Sequence, residues 1–178
     1  MTSLNDIHLL VVDDNAPMRQ LIRALARAGG IVNSTEADTA AQAIDILRAM
    51  PVDLVIVDWK MRPIDGLSFT RMVRWNNDSP NPYVPILMLT AHTEASRVAA
   101  ARDAGVTGFL KKPISTRLLF DRIASALTDA RPFVRAETFF GPDRRHAQVP
   151  WYLGPFRRAG DQGRHDTFDL DDEVRNTA

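Results

Sequence analysis

The sequence contains no cysteine. That removes disulfide scaffolds, thiol nucleophiles and thiolate metal centres from consideration. Lysine is scarce too, with three residues against 19 arginines, so each lysine stands out by its position. Net charge is zero over 178 residues, which removes a global field toward nucleic acid or membrane. Long apolar runs are absent. The first run, residues 7–12, ends at Asp13 and Asp14 and is too short for a signal peptide or a membrane span. The expectation is a cytoplasmic protein without membrane insertion. The zero net charge hides local structure. Residues 1–130 carry 14 basic and 14 acidic side chains. Residues 131–158 then carry six Arg against Glu137 and Asp143, and residues 159–178 carry six acids against Arg164 and Arg175. A basic block is followed by an acidic one.

What is present is alternation. Short apolar runs occupy residues 7–12, 31–35, 54–57, 86–89 and 108–110. The first, third and fourth are almost continuous Val, Ile and Leu, as in strands buried on both faces of a parallel sheet. Helix-length segments lie between and after them, at 16–28, 39–50, 66–75, 94–104 and 115–129. In the first of these, Met18, Leu21, Ile22 and Leu25 share one face, and Gly29-Gly30 stops it. Five strand–helix alternations predict right-handed crossovers and a doubly wound α/β sheet. Ligand sites in such sheets lie at the carboxyl ends of the strands.

Polar residues collect at those ends. Asp13 and Asp14 follow the first strand, Asp58 the third, Thr90 ends the fourth, and Lys112-Pro113 follows the fifth. Clustered carboxylates repel one another unless a cation neutralises them. A hard divalent ion suits oxygen ligands. One Asp can then act as a nucleophile toward a phosphoryl group, with a Lys ammonium and a Thr hydroxyl offsetting its charge. Taken singly, each residue has a plainer role as a helix cap, a loop residue or β-branched packing. The specificity is in the conjunction and its order.

The motifs VVDDN (11–15), VDWK (57–60), LTA (89–91) and FLKKPI (109–114) resemble the receiver domain of two-component response regulators. The resemblance spans residues 5–130. It implies a flavodoxin-like five-stranded parallel sheet of order 2-1-3-4-5 with five helices. It implies Asp58 as phosphoacceptor and Mg²⁺ held by Asp14, Asp58 and the backbone carbonyl of Lys60, with Asp13 acting through water. Thr90 would be the switch hydroxyl, Phe109 the switch aromatic, and Lys112, next to a cis Pro113, the contact to the phosphoryl group. The phosphoryl donor would be a histidine kinase or phosphotransfer protein. The sequence departs from the pattern in three ways. Arg62 separates Met61 from Pro63, whereas the family commonly has Pro directly after the Met. Phe109 lacks the hydroxyl of the Tyr often found there. Lys60 and His92 occupy positions that tune dephosphorylation in the family.

After residue 130 the pattern stops, and residues 131–178 read as a mostly irregular tail. Its 48 residues cannot hold a helix-turn-helix domain with a core of its own, so DNA binding is not expected. Nor is enzymatic turnover, because no second base or substrate pocket is visible. The tail has eight Arg and no Lys. Two Gly-Pro-x-Arg-Arg units recur, at 141–145 and 154–158. Arg forks match phosphates and guanine edges, and Phe139, Phe140, Trp151, Tyr152 and Phe156 offer stacking faces. Asp143 offers an acceptor for a guanine N–H. The tail resembles a subclass of single-domain receivers whose arginine-rich extension binds cyclic di-GMP and acts on the flagellar motor. That resemblance would make Arg131, Arg135, Arg144, Arg145, Trp151, Arg157 and Arg158 the ligand contacts. The alternatives are a solvated linker, or a phosphorelay or scaffold receiver whose tail docks a protein without nucleotide.

Overall fold

The computed structural model describes residues 4–91 and 95–143, without the side chains of 95–97. A 3₁₀ turn at Leu4–Asp6 leads into five strand–helix units. They are β1 (His8–Val12), α1 (Ala16–Ala28), β2 (Asn33–Ala37), α2 (Ala40–Ala49), β3 (Leu54–Asp58), α3 (Gly66–Trp75), β4 (Ile86–Thr90), α4 (Ala95–Ala104), β5 (Gly108–Lys111) and α5 (Thr116–Leu127). The strands form one parallel sheet in the order β2-β1-β3-β4-β5.

Strand alternation divides the core into two layers. Leu10, Val12, Val55, Val57, Ile86 and Met88 face Ile44, Leu47, Phe69, Val73 and Ala101 of α2, α3 and α4. Leu9, Val11, Leu54, Ile56, Leu87 and Leu89 face Ile22, Ala26, Leu119 and Ile123 of α1 and α5. The central strands are buried on both sides, which is why they read as unbroken apolar runs. Helix starts are set by side-chain caps. Asn15 accepts from Met18 N, Thr39 from Gln42 N, Asp65 from Ser68 N and Ser115 from Leu118 N.

Two expectations need correction. The second strand is Asn33–Ala37, not residues 31–35. Ile31 is fully buried ahead of it, and an edge strand reading Asn-Ser-Thr-Glu-Ala has little apolar signal. The chain after residue 130 is also not irregular throughout. Strands β6 (Phe133–Ala136) and β7 (Phe139–Pro142) pair antiparallel across a two-residue turn, with Arg135 opposite Phe140. All of β7 is buried, against α3 and α4. Phe140 meets Trp75 and Tyr83 edge-on at centroid distances of 6.3 and 5.4 Å, and Phe133 meets Tyr83 at 5.2 Å. Four-residue strands are too short to show a period, so only the buried Phe pair hinted at them.

Beneath this hairpin lies Arg74 of α3, 2% exposed. Its Nε donates to the carbonyl of Gly105 at 3.0 Å, and its two Nη groups donate to Pro82 and Val84 at 2.7 and 2.9 Å. The guanidinium carbon stands 5.2 Å from the Phe133 ring centroid. Burial lowers its pKa to about 9. The three carbonyls join α3 to the segment before β4 and to the turn after α4, while Phe133 covers the cation.

Candidate functional site

The carboxyl ends of β1, β3, β4 and β5 bring together five side chains from four separate stretches of the sequence. Asp58 is the last residue of β3 and Thr90 the last of β4, and both are buried. Asp13 and Asp14 follow β1 directly, and Lys112 follows β5. Lys112 Nζ donates to Asp58 Oδ1 at 2.8 Å and stands 3.8 Å from Asp13 Oδ2. The other Asp58 oxygen accepts from the Lys60 N–H at 3.0 Å. The Lys112 N–H donates to the Thr90 carbonyl at 2.9 Å, tying the two strand ends together. The Lys112–Pro113 bond is cis, as is Arg62–Pro63.

The acid pair is split in environment. Asp13 is 1% exposed, whereas Asp14 is exposed and accepts from the Arg62 N–H at 3.2 Å. Asp13 Oδ1 accepts from the Asn15 N–H at 2.8 Å, but Oδ2 is buried with no hydrogen-bond partner. Desolvation pushes the Asp13 carboxyl above its ordinary 3.8. The charges of Asp58 and Asp14 push the same way, against the Asn15 hydrogen bond and the Lys112 ammonium. A buried acceptor without a donor is the signature of a position that a cation or its water would complete. The donor set is all oxygen, which suits a hard divalent ion. Among the described residues no three acidic or histidine side chains stand close enough to hold a metal by themselves. An ion here would complete its shell with main-chain oxygen and water, as Mg²⁺ commonly does. Asp13→Asn is therefore expected to raise metal-free stability by about 1 kcal/mol, by removing a desolvated and repelled charge. Mg²⁺ should narrow that gap, and urea unfolding with and without MgCl₂ measures both.

Two residues beside the site, Gly66 and Arg19, were not among the candidates read from the sequence. A Cβ on Gly66 would stand 2.2 Å from the Asp58 carbonyl oxygen, so the loop from 58 to 66 closes only with glycine at its end. Arg19 donates to the Asp13 carbonyl at 2.7 Å. Phe109, in β5, is half-buried against the core layer that contains Met88. His92 lies outside the described residues.

The tail candidates separate. Arg131 forks onto the Asp129 carboxylate and donates to the Thr107 carbonyl at 2.8 Å, so its hydrogen-bonding edge is engaged within the chain. Phe139 and Phe140 are 6% and 3% exposed and cannot act as open stacking faces. Asp143 donates its N–H to the Pro132 carbonyl. Arg135 is exposed, with its guanidinium 5.9 and 5.4 Å from the Trp75 and Phe140 ring centroids. Arg144, Arg145, Trp151, Arg157 and Arg158 lie outside the described residues, as do Tyr152 and Phe156.

Known proteins share this fold. The family model described as response regulator receiver domain matches residues 9–124. The chemotaxis protein CheY of Pseudomonas aeruginosa is 34% identical over 115 residues, covering 65% of this chain and 91% of that protein. CheY-3 of Vibrio cholerae is 30% identical over 118 residues, covering 66% and 89%. The crystallised chemotaxis protein CheY4 of Vibrio cholerae superposes with a TM-score of 0.63 at 27% identity, covering 68% of this chain and 98% of that one.

Proposed function

Because this chain belongs to the response regulator receiver family, we propose that it is a phosphorylation switch with Asp58 as phosphoacceptor. The observation that supports this most directly is the 2.8 Å contact between Lys112 Nζ and Asp58 Oδ1, beside the Asp13 oxygen that accepts no hydrogen bond. A carboxylate oxygen of Asp58 attacks the phosphorus of a donor in line with the leaving group, forming an acyl phosphate. The bond to the donor's leaving oxygen or nitrogen breaks, and its electron pair departs with that atom. As charge moves from the carboxylate to the phosphoryl oxygens, the Lys112 ammonium follows it, and Thr90 offers a hydroxyl to the same group. Bound Mg²⁺ would neutralise phosphoryl charge, held by Asp14, Asp58 and the Lys60 carbonyl, with Asp13 reaching it through water. The Asp13–Asn15 and Asp58–Lys60 hydrogen bonds keep the two carboxylates oriented beforehand. The donor in the cell is a histidine kinase or phosphotransfer protein. Acetyl phosphate with Mg²⁺ should add one phosphoryl group to the peptide containing Asp58, read by mass spectrometry. Modification elsewhere, or none, would sink the assignment.

The tail carries the output in this reading. The paired Gly-Pro-x-Arg-Arg units favour binding of cyclic di-GMP, which controls a protein target such as the flagellar motor. Gly141 and Pro142 are the last two residues of β7, so the first unit begins on the packed hairpin. With Arg131 engaged by Asp129 and Thr107, the contacts reduce to Arg135, Arg144, Arg145, Trp151, Arg157 and Arg158. Calorimetric titration of the full chain with cyclic di-GMP should give micromolar or tighter binding. Joint Arg144→Ala and Arg145→Ala should weaken it at least about tenfold, the loss of two charge-assisted contacts. A wild-type titration without heat would favour the protein-docking alternative.

A further inference from the structure

Arg19, in the first turn of α1, is only 16% exposed at its side chain, and the phosphoryl chemistry gives it no task. Its guanidinium is shared between two partners. Nη1 donates to the main-chain carbonyl of Asp13 at 2.7 Å, and Nε donates to Glu36 Oε2 at 3.1 Å. Glu36 sits on β2 in register with Val11 of β1, and its second oxygen accepts from Arg23 at 3.1 Å. The N–H of Asp13 is meanwhile bonded to the Ala37 carbonyl at 3.1 Å. The main chain of Asp13 is thus held on both sides, by Ala37 and by Arg19.

We infer that Arg19, oriented by Glu36, is a positioning residue for the divalent-cation site. It holds the main chain that carries Asp13 and Asp14. The inference rests on the reading of this cleft as a Mg²⁺-dependent phosphoacceptor site. The Asp13 carbonyl belongs to the peptide unit that joins Asp13 to Asp14, so rotation of that unit moves both carboxylates. The carboxylates repel each other and Asp58, and this repulsion drives such a rotation whenever no cation is bound. A guanidinium on the carbonyl oxygen resists it without touching the carboxylates themselves. Glu36 completes the arrangement. It anchors the planar fork in one orientation and offsets its charge, so the cation does not swing onto the acid pair and compete with a metal. Residues that orient metal ligands in this indirect way commonly govern affinity by about 10- to 100-fold.

Calorimetric titration of the full chain with MgCl₂ tests this, alongside thermal unfolding without metal. Arg19→Ala should weaken Mg²⁺ binding about tenfold, and Glu36→Gln by a smaller factor of roughly three, since the carbonyl contact survives there. Arg23 shares the Glu36 partner and, among the described residues, bonds only to it, so Arg23→Ala should stay within about twofold of wild type. Arg19→Lys should recover part of the loss, because an ammonium can still reach a carbonyl. In the Arg19→Ala, Glu36→Gln double variant the two losses should not add, because the residues act in series. Phosphorylation from acetyl phosphate at saturating Mg²⁺ should remain near wild type, while the Mg²⁺ concentration for half-maximal rate rises with the dissociation constant. Equal Mg²⁺ affinity in Arg19→Ala, Arg23→Ala and wild type would overturn the inference. So would a loss that Arg23→Ala reproduces in full. If Arg19→Ala does not fold, Glu36→Gln against Arg23→Ala decides, and indistinguishable affinities overturn it. A wild-type chain that binds no Mg²⁺ would instead overturn the reading on which it rests.

Discussion

Asp58→Asn is expected to abolish phosphoryl incorporation from acetyl phosphate, and Lys112→Met to slow it by about 10²- to 10³-fold. The two losses differ in kind. An amide oxygen at residue 58 is not a nucleophile at neutral pH, and no neighbour substitutes for it. Asp13 is buried behind the ammonium, and Asp14 is turned toward the Arg62 N–H. Lys112→Met leaves the nucleophile in place and removes the cation that stands 2.8 Å from it. Charge developing on the phosphoryl group then meets one donor fewer in a site largely shielded from water, which is where a single donor matters most. Asn at 58 can still accept from the Lys60 N–H, so the fold should be retained, and circular dichroism checks that. Residual single-site labelling in Asp58→Asn at the wild-type rate would disprove the assignment. Rapid-mixing kinetics with Lys112→Met distinguishes a charge role from simple tethering. In the charge role the rate constant falls while the acetyl phosphate concentration for half-maximal rate changes little.

The sheet and this site were legible because their signals are local or positional. The runs 54–57 and 86–89 are apolar at every residue because both faces of β3 and β4 are covered. The Asp, Thr and Lys fall at strand ends, so strand order alone brings them together. The support around them was not legible. Arg19 and Glu36 are 17 residues apart on different elements, and Arg19 reads as one more polar residue on the outside of α1. The role of Arg62 comes through its backbone N–H, which no side-chain pattern reveals. Arg74 would ordinarily be assigned to solvent, and its burial depends on three carbonyls from two separate segments together with a ring contributed by the hairpin.

The hairpin is where sequence reasoning diverged furthest, and it carries the largest expected stability effect. Phe140→Ala should destabilise the chain by about 3 kcal/mol, the low end for a buried Phe, because part of the site can relax toward solvent. For a chain of this size that lowers the melting temperature by about 6–12 °C. Phe140 is 3% exposed and stands edge-on to Trp75, Tyr83 and Phe133. Its backbone is as closely fitted as its ring. A Cβ at Gly105 would meet the Phe140 carbonyl oxygen at 2.3 Å, and one at Gly141 would meet the Gly105 Cα at 2.6 Å. Gly105 also has φ of +95°, so β7 lies directly on a turn that only glycine readily forms. Ending the chain at Ala130 should cost more than Phe140→Ala, because it also uncovers Arg74 and removes the Arg131 link to the Thr107 carbonyl. Arg135→Ala is the contrasting control. Its exposed cation–π contacts are worth about 0.5–1 kcal/mol. Urea unfolding of the three variants gives the ranking. A Phe140→Ala loss below about 0.5 kcal/mol would mean that the hairpin merely rests on the domain. The expected larger loss would make it part of the domain. The serviceable boundary of the folded unit would then be residue 143 rather than 130.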